Sequence, residues 1–437
     1  MTALGTQLKV NYADGKARII QVAIYLNGTS VPCGRIMFNS SANVGAFEYL
    51  VDYKGPSLDP LNLNYRVAGK RRFMLDASIN TELLHRVFMD YLPGPWGLQV
   101  LHTEFPQIKS MKAAEKLHWF GSRTVGALSF YVGNIAEEFP VRGIELLEKI
   151  RRKSLDLIAS KIDSIGMGRT VVDGLSSHGG ARPKCMFEDR QGGHWLTKFN
   201  NTSDAYNYAR VEHASSVLAR ACGIESVHTR CLELDPEVDV LFVRRYDRIG
   251  EEKPHRVSAF SLMSETTVRG QHEGDYQMIF DVLDKFCCDP AGQKDELLRR
   301  MMFNIAINNT DDHLKNFEFL LDEKRNCWKL SPAYDLTVDP YPNPRVTSVF
   351  GDKWATLSDE TMLKIARQLD MDPRKVLTMR DQVVNGAKSW KHVFKACEVA
   401  EVSIQRLEKA MEKSLKFSVP AEMHSALESQ KSNQLRL

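Results

Sequence analysis

The sequence predicts an α+β protein in three parts: a β-rich N-terminal unit, a middle unit of short strands around one helix, and a mostly helical C-terminal part. Three observations lead there. Strand-like apolar runs broken by turn signals fill residues 20–135, and two pairs of short strands flank a helical pattern between 170 and 250. After 275 most segments carry apolar residues at helical spacing. At 437 residues the chain has room for two or three domains, and the changes of pattern place them at 1–140, 141–250 and 251–437.

In the first unit Val22–Leu26 reads as a strand, Asn27-Gly28 as a hairpin turn, and Cys33–Phe38 as the returning strand. Residues 81–91 carry Leu83, Leu84, Val87, Phe88 and Tyr91, a pattern that predicts a helix ended by Pro93-Gly94-Pro95. Val125–Tyr131 is a further strand. A helical segment around Ile144–Ile150 connects to the middle unit. There, Lys184–Phe187 and His194–Phe199 flank Gly192-Gly193. A helix follows over Ala205–Cys222, with Val211, Ala214, Leu218 and Ala221 on one face and Gly223 as its stop. Two more strands end at Val240–Val243. The C-terminal part reads as helices over Glu296–Asn308 and between 359 and 415, with short strands at Phe317–Leu321 and Trp328–Leu330. The last dozen residues, rich in Ser, Gln and Lys, read as frayed.

Composition excludes more than it assigns. The chain is 43% hydrophobic and 26% charged, as in an ordinary globular protein. A net charge of +3 does not by itself point to nucleic acid. Lys70-Arg71-Arg72 and the run from Lys149 to Lys153 are local basic clusters, the second a solvated helix face. No signal peptide, membrane-spanning stretch or membrane partner is indicated. The eight cysteines form no C-x-x-C pair with matching partners, so zinc is not expected. The simplest reading is a cytoplasmic protein with reduced thiols.

The residues with most chemistry in them are Asn309-Thr-Asp-Asp-His-Leu-Lys-Asn316 and Ser331-Pro-Ala-Tyr-Asp335. Phosphoryl transfer needs a carboxylate to receive the acceptor proton and oxygen ligands to hold magnesium on the phosphates of ATP. Asp311 stands five positions before Asn316, and Asp335 follows nineteen later, the order used in the protein-kinase catalytic loop. The bland alternative is that Thr310-Asp311-Asp312 only turns the chain after a helix. Asp312 is a competing base, although the count to Asn316 favours Asp311. Lys198, in a strand, is placed to neutralise phosphates, and Glu212 on the next helix to pair with it. Ser176–Lys184 is a glycine-containing loop fourteen residues ahead of Lys198 whose N–H groups can approach phosphate, though a surface Gly-Gly is often only a turn. Arg244-Arg-Tyr-Asp-Arg248 ends the last strand of that lobe, where a hinge would meet adenine; a charged strand end would look the same.

Taken together, these motifs resemble those of the HipA family of bacterial serine/threonine kinase toxins, over most of the chain. Thr-Asp-x-His-x-Lys-Asn at 310–316 with Pro-x-Tyr-Asp at 332–335 is similar to that family's catalytic and metal-binding segment. Arg245–Arg248 resembles its hinge and Ser177–Lys184 its phosphate loop. Tyr25–Gly28 with Gly34–Ile36, Leu92-Pro93 with Trp96-Gly97, and Val125–Ala127 resemble its N-terminal domain. The resemblance implies a protein-kinase-like bilobal fold with an additional β-rich N-terminal subdomain, using ATP and Mg2+. It implies Asp311 as base and Asn316 and Asp335 as metal ligands. The nucleotide would be bound by Gly179, Gly180, Ala181, Arg182, Pro183, Lys184, Lys198, Arg244, Arg245, Tyr246, His313, Leu314, Lys315, Asn316, Tyr334 and Asp335, and Ser177 would be autophosphorylated. It further implies a protein substrate, such as an aminoacyl-tRNA synthetase, and a HipB-like helix-turn-helix antitoxin through which DNA is reached. Asp312, Arg182-Pro183 and Arg244 depart from the family pattern. A small-molecule phosphotransferase of the aminoglycoside-kinase kind and a catalytically weak binding protein are the alternatives.

Overall fold

The computed structural model describes residues 14–120, 125–132, 182–201, 204–235, 238–263 and 274–416. At the N-terminal end β1 (Arg18–Leu26) turns into β2 (Thr29–Asn39) through Asn27 and Gly28, whose φ angles of 48° and 80° are the positive pair a tight hairpin turn requires. With β3 (Val44–Tyr49), β4 (Arg72–Met74) and β5 (Leu128–Tyr131) they form an antiparallel sheet in the order β4-β3-β2-β1-β5. Ile20, Val22, Ile24, Ile36, Phe38 and Phe47 are buried on it. Helices α1 (Tyr65–Ala68), α2 (Arg86–Met89), α3 (Pro95–Glu104) and α4 (Ala113–Phe120) lie between β3 and β5 in sequence.

The predicted helix over 81–91 is not formed; only the four residues of α2 are helical. Leu83 takes φ +58°, and the Asn80 side-chain amide donates to the Leu84 carbonyl, so the backbone turns where a helix would run. The apolar residues are buried as the pattern requires, but from a turn. Pro95 begins α3 rather than ending a helix, since at the first helical position no N–H is missed.

The middle unit is a four-stranded antiparallel sheet, β6 (Lys184–Glu188), β7 (His194–Phe199), β9 (Val238–Arg244) and β8 (Thr229–Asp235), in the order β6-β7-β9-β8. Helix α5 (Tyr208–Ala221) crosses between β7 and β8, capped by the Asn207 side chain on the Arg210 N–H, worth about 1 kcal/mol. Val211, Ala214 and Leu218 are buried as expected, but Ala221 is exposed, because the chain turns at Gly223 (φ +77°).

In the C-terminal part β10 (Arg256–Ser258), β12 (Glu318–Asp322) and β13 (Cys327–Leu330) pair antiparallel, and β11 (Gly274–Asp275) runs parallel to β14 (Thr347–Ser348). Around them pack α6 (Tyr276–Phe286), α7 (Pro290–Ala306), α8 (Asp359–Gln368), α9 (Pro373–Ala387), α10 (Trp390–Ala396) and α11 (Glu401–Leu415). Tyr276, Ile279, Phe280 and Leu283 of α6 are fully buried, each contributing about 1.5–3 kcal/mol.

The expectation of reduced thiols is corrected at one pair: Cys288 and Cys327 form a disulfide, their Cα atoms 5.2 Å apart. They are 39 residues apart in sequence, and meet because the Cys288 N–H bonds the Trp328 carbonyl at 2.9 Å, laying the α6–α7 junction along β13. No described helix is long and apolar enough to cross a membrane.

Candidate active site

The register of β6 on β7 sets Lys184 directly opposite Lys198, both buried. Like charges across a strand pair destabilise a sheet, so carboxylates must hold such a pair in place. Helix α5 supplies one: Lys198 Nζ lies 2.6 Å from Glu212 Oε1. Asp335 supplies the other, bonded to the same ammonium. Asp335 reaches it because its segment is strapped to the strand lobe. The Val227 N–H bonds the Ala333 carbonyl at 2.9 Å and the Ala333 N–H bonds the Glu225 carbonyl at 2.7 Å. Asp335 itself takes φ +54°, a conformation that an Asx residue tolerates better than most.

These charges fix one another. Burial opposes ionisation of Asp335, yet the Lys198 and Lys184 ammoniums hold its carboxyl well below the usual carboxylate range. Burial also works against Lys198, but Asp335 and Glu212 outweigh it and raise the lysine above its ordinary value. Burial, reinforced by Lys198, pulls Lys184 down to about 8. Removing Lys198 would leave two carboxylates facing each other without their shared cation, a change costing about 3–5 kcal/mol in buried pairs.

The loop after α7 puts the two aspartates in different surroundings. Asp312 is 1% exposed; its carboxylate accepts from the Tyr276 hydroxyl at 2.8 Å and the Thr347 N–H at 3.3 Å, and burial lifts it to about 6. It ties the loop to α6 and β14. Asp311 is exposed toward the cleft, and its side chain takes no hydrogen bond among the described residues. Burial of the carboxyl group raises it; His313 partly opposes this, and Asp335 and Asp339 add to the rise. The Asn316 amide nitrogen donates to the Asp311 carbonyl at 2.9 Å, which turns its oxygen away from that bond. An amide oxygen and a carboxylate are hard donors suited to magnesium, which takes one or two protein ligands and fills its sphere with phosphate and water. Among the described residues no cluster of three or more His, Cys, Asp or Glu side chains forms a metal site of its own.

Two cavities meet here. One, about 340 Å3, runs from Lys184, Lys198, Asp311 and Asp335 to Leu196, Val243, Tyr246 and Tyr334, and is closed by Met89, Asp90 and Leu92–Pro95 of the N-terminal unit. Tyr246 and Tyr334 stack with centroids 5.7 Å apart, held by the Tyr246 hydroxyl on Glu318 (2.5 Å) and the Tyr334 hydroxyl on the Lys315 carbonyl (2.6 Å). Glu318 is in turn paired with Arg256. The two rings, with Leu196 and Val243, give this end its apolar surface. The other cavity, about 460 Å3, shares Lys184, Lys198, Asp311, His313 and Asp335 and extends to Asp339 and Tyr341.

The remaining expected residues divide. Arg244 and Arg245 line the first cavity, but their guanidiniums are engaged elsewhere: Arg244 sits over the Trp195 ring at 5.3 Å, and Arg245 forks onto Asp247 at 3.0 and 2.9 Å. Asp247 also accepts from the Gly126 N–H at 2.7 Å and Arg248 donates to the Gly126 carbonyl at 2.8 Å, so this strand end fastens the N-terminal unit. Leu314 is fully buried and faces neither cavity, because it packs against Gly274, where a Cβ would fall 2.6 Å from its Cδ1. Arg182 pairs with Asp204 at 2.5 Å above the Tyr208 ring, and the Pro183 carbonyl accepts from the Phe199 N–H. Ser177, Gly179, Gly180 and Ala181, like Ile144–Ile150 and the last dozen residues, lie outside the described residues. Among the cavity-lining residues that sequence reasoning missed are Leu92–Pro95, Leu196, Tyr206, Tyr208, Val243 and Asp339–Tyr341. The only sequence signal for the last of these is the proline-spaced run Asp339-Pro-Tyr-Pro-Asn-Pro344.

Comparison with known proteins bears on the whole chain. Residues 22–131 match the model of the HipA N-terminal domain, and residues 176–391 that of the HipA-like C-terminal domain. The candidate kinase Y4dM of Sinorhizobium fredii is 27% identical over 236 residues, covering 48% of this chain and 56% of that protein. A candidate kinase of Haemophilus influenzae is 26% identical over 146 residues, covering 31% of this chain and 42% of that protein. The chain therefore spans about half the length of these curated relatives. Among solved structures, a chain from the complex of HipA, HipB and operator DNA of the Shewanella oneidensis MR-1 toxin–antitoxin system superposes with a TM-score of 0.65. It is 17% identical, with 91% of this chain and 96% of that one covered. The fold is thus α+β and kinase-like, with the added N-terminal sheet.

Proposed function

The chain belongs to the HipA family, and from that premise we propose that it is an ATP- and magnesium-dependent protein serine/threonine kinase. One observation carries the reading: the Lys198 ammonium is held between Glu212 and Asp335 where two cavities meet, with Asp311 facing both. A nucleotide base fits the apolar end between Leu196, Val243, Tyr246 and Tyr334, leaving its phosphates at Lys184 and Lys198. Asn316 and Asp335 would hold magnesium, which supplies positive charge to the phosphate oxygens.

Asp311 accepts the proton of the acceptor hydroxyl as that oxygen bonds to the γ-phosphorus and the bond to the ADP oxygen breaks. Its position is set through Asp312, which anchors the loop to Tyr276 and Thr347 without meeting the acceptor. Lys198 orients the phosphates, and Glu212 would hold that lysine in place were Asp335 to ligate a metal ion. The Asn316 amide fixes the loop backbone at Asp311.

The protein substrate we assign to the translation machinery, for example an aminoacyl-tRNA synthetase. As partner we assign a HipB-like helix-turn-helix antitoxin, with DNA reached only through it and the complex residing in the cytoplasm. Support comes from the family and from the fold shared with the HipA of a HipA–HipB–operator complex. Incubating the protein with γ-labelled ATP and cell extract, with magnesium or with EDTA, tests the reading. Label on protein serines or threonines, dependent on magnesium, is expected. Label confined to small molecules would replace it with a small-molecule phosphotransferase, and no transfer at all with a binding protein.

A further inference from the structure

The 460 Å3 cavity extends past the residues assigned to the phosphates. It opens beyond the shared residues Lys184, Lys198, Asp311, His313 and Asp335, on the side of Asp311 away from the base slot. Its far wall is Asp339–Tyr341, the start of the proline-spaced run Asp339-Pro-Tyr-Pro-Asn-Pro344. Three prolines restrict this segment, and hydrogen bonds fasten it to the catalytic loop. The Asn308 amide donates to the carbonyls of Asp339 at 2.7 Å and Tyr341 at 3.0 Å, and the Val346 N–H bonds the Thr310 carbonyl at 3.0 Å. A wall fixed in this way loses little conformational freedom when something docks on it.

The chemistry of that wall selects its occupant. Asp339 accepts from the Thr310 hydroxyl at 2.7 Å, the Asn343 amide at 2.6 Å and the Tyr341 N–H at 2.9 Å. All three donors are neutral, and among the described residues no cation pairs with this carboxylate. Asp311 faces the same space. Tyr341, 56% exposed between Pro340 and Pro342, stands at the rim and offers aromatic surface beyond the cavity mouth. Tyr206 and Tyr208, stacked at 4.3 Å, line another side.

We propose that Asp339 and Tyr341 form the acceptor subsite: they take an extended polypeptide segment whose hydroxyl residue reaches toward Asp311, with a lysine or arginine next to it facing Asp339 and a neighbouring side chain lying on Tyr341. The subsite rests on the kinase reading, and deepens it by naming what selects the acceptor. A polypeptide is favoured over a small cation because Tyr341 extends the contact surface outside the cavity.

Positional-scanning serine peptides with labelled MgATP test this. Wild-type protein is expected to prefer a basic residue adjacent to the serine by about fivefold, the scale of a part-exposed ion pair. In Asp339→Asn that ratio falls to near one. Tyr341→Ala, at an exposed position that does not threaten folding, raises KM for all peptides by about tenfold, as loss of an aromatic anchor does. Peptide transfer with no basic preference, and with KM unmoved in Tyr341→Ala, overturns the subsite and leaves the kinase reading standing. Label on small polycations but not on peptides overturns it as well. A wild-type protein that transfers label to no acceptor and hydrolyses no ATP removes the kinase reading and the subsite together.

Discussion

Asp311→Asn and Asp312→Asn are isosteric changes at adjacent positions, and the structure gives them opposite consequences. Asp311 faces the cleft with no hydrogen bond to its carboxylate among the described residues, so asparagine removes a proton acceptor and little else. General-base catalysis contributes typically 10²- to 10⁴-fold, so the turnover number should fall by about that factor. At 1.36 kcal/mol per tenfold this is about 2.7–5.4 kcal/mol of barrier. The melting temperature should hardly change. Asp312 is 1% exposed and accepts from Tyr276 and Thr347. Asparagine retains one acceptor oxygen and disturbs one buried hydrogen bond, costing roughly 1 kcal/mol of stability, with turnover within a few-fold of wild type. Single-turnover transfer from labelled ATP, alongside thermal unfolding, reads both quantities. If Asp312→Asn abolished transfer in a folded protein while Asp311→Asn did not, the register of the catalytic loop would be wrong by one residue.

Four further outcomes are expected. Asp335→Ala should bind ATP with nearly the same affinity in magnesium and in EDTA, because the residue acts through the ion; calorimetry showing a full magnesium response would refute the metal assignment. Mass spectrometry after incubation with ATP should find phosphate on Ser177, absent from Asp311→Asn, since a phosphoserine adds about −1.5 to −2 charges to a loop that must hold other phosphates; an unmodified 170–185 peptide from an active enzyme would sink this. Burial lets Asp312 keep its proton to about 6 in the fold, against about 3.8 for an ordinary aspartate. Its stabilising contribution is therefore complete below pH 3.8 and lost as pH rises through about 6. Urea unfolding at a series of pH values should show that slope, and its persistence in Asp312→Asn would refute the source. Reducing Cys288–Cys327 should lower stability by about 2–4 kcal/mol, the usual effect of opening a loop of this size; an unchanged denaturation midpoint in dithiothreitol would contradict it.

Local sequence carried much of the fold and the site. Asn27-Gly28 specified its turn because both positions need positive φ, and the strands at Lys184–Glu188, His194–Phe199 and Cys327–Leu330 followed from short apolar runs bounded by turn residues. The five-residue count from Asp311 to Asn316 was legible because the contact it encodes is itself local, an amide on a carbonyl five residues back. What the sequence could not decide depends on segments far apart in the chain. Residues 81–91 have helical spacing, but the Asn80 amide and a left-handed Leu83 turn that backbone while the same side chains reach the core. The different surroundings of Asp311 and Asp312 come from Tyr276 and Thr347, which hold one carboxylate buried while the other stays in the cleft. Leu314 sits within a motif of polar site residues yet packs on Gly274, 40 positions away by residue number. The Cys288–Cys327 bond and the meeting of Lys198, Glu212 and Asp335 arise from strand pairing and helix docking. Residue types and short spacings determine which groups are available for chemistry; only the packing of distant segments decides which of them share a cavity, because burial and charge pairing are properties of neighbours in space.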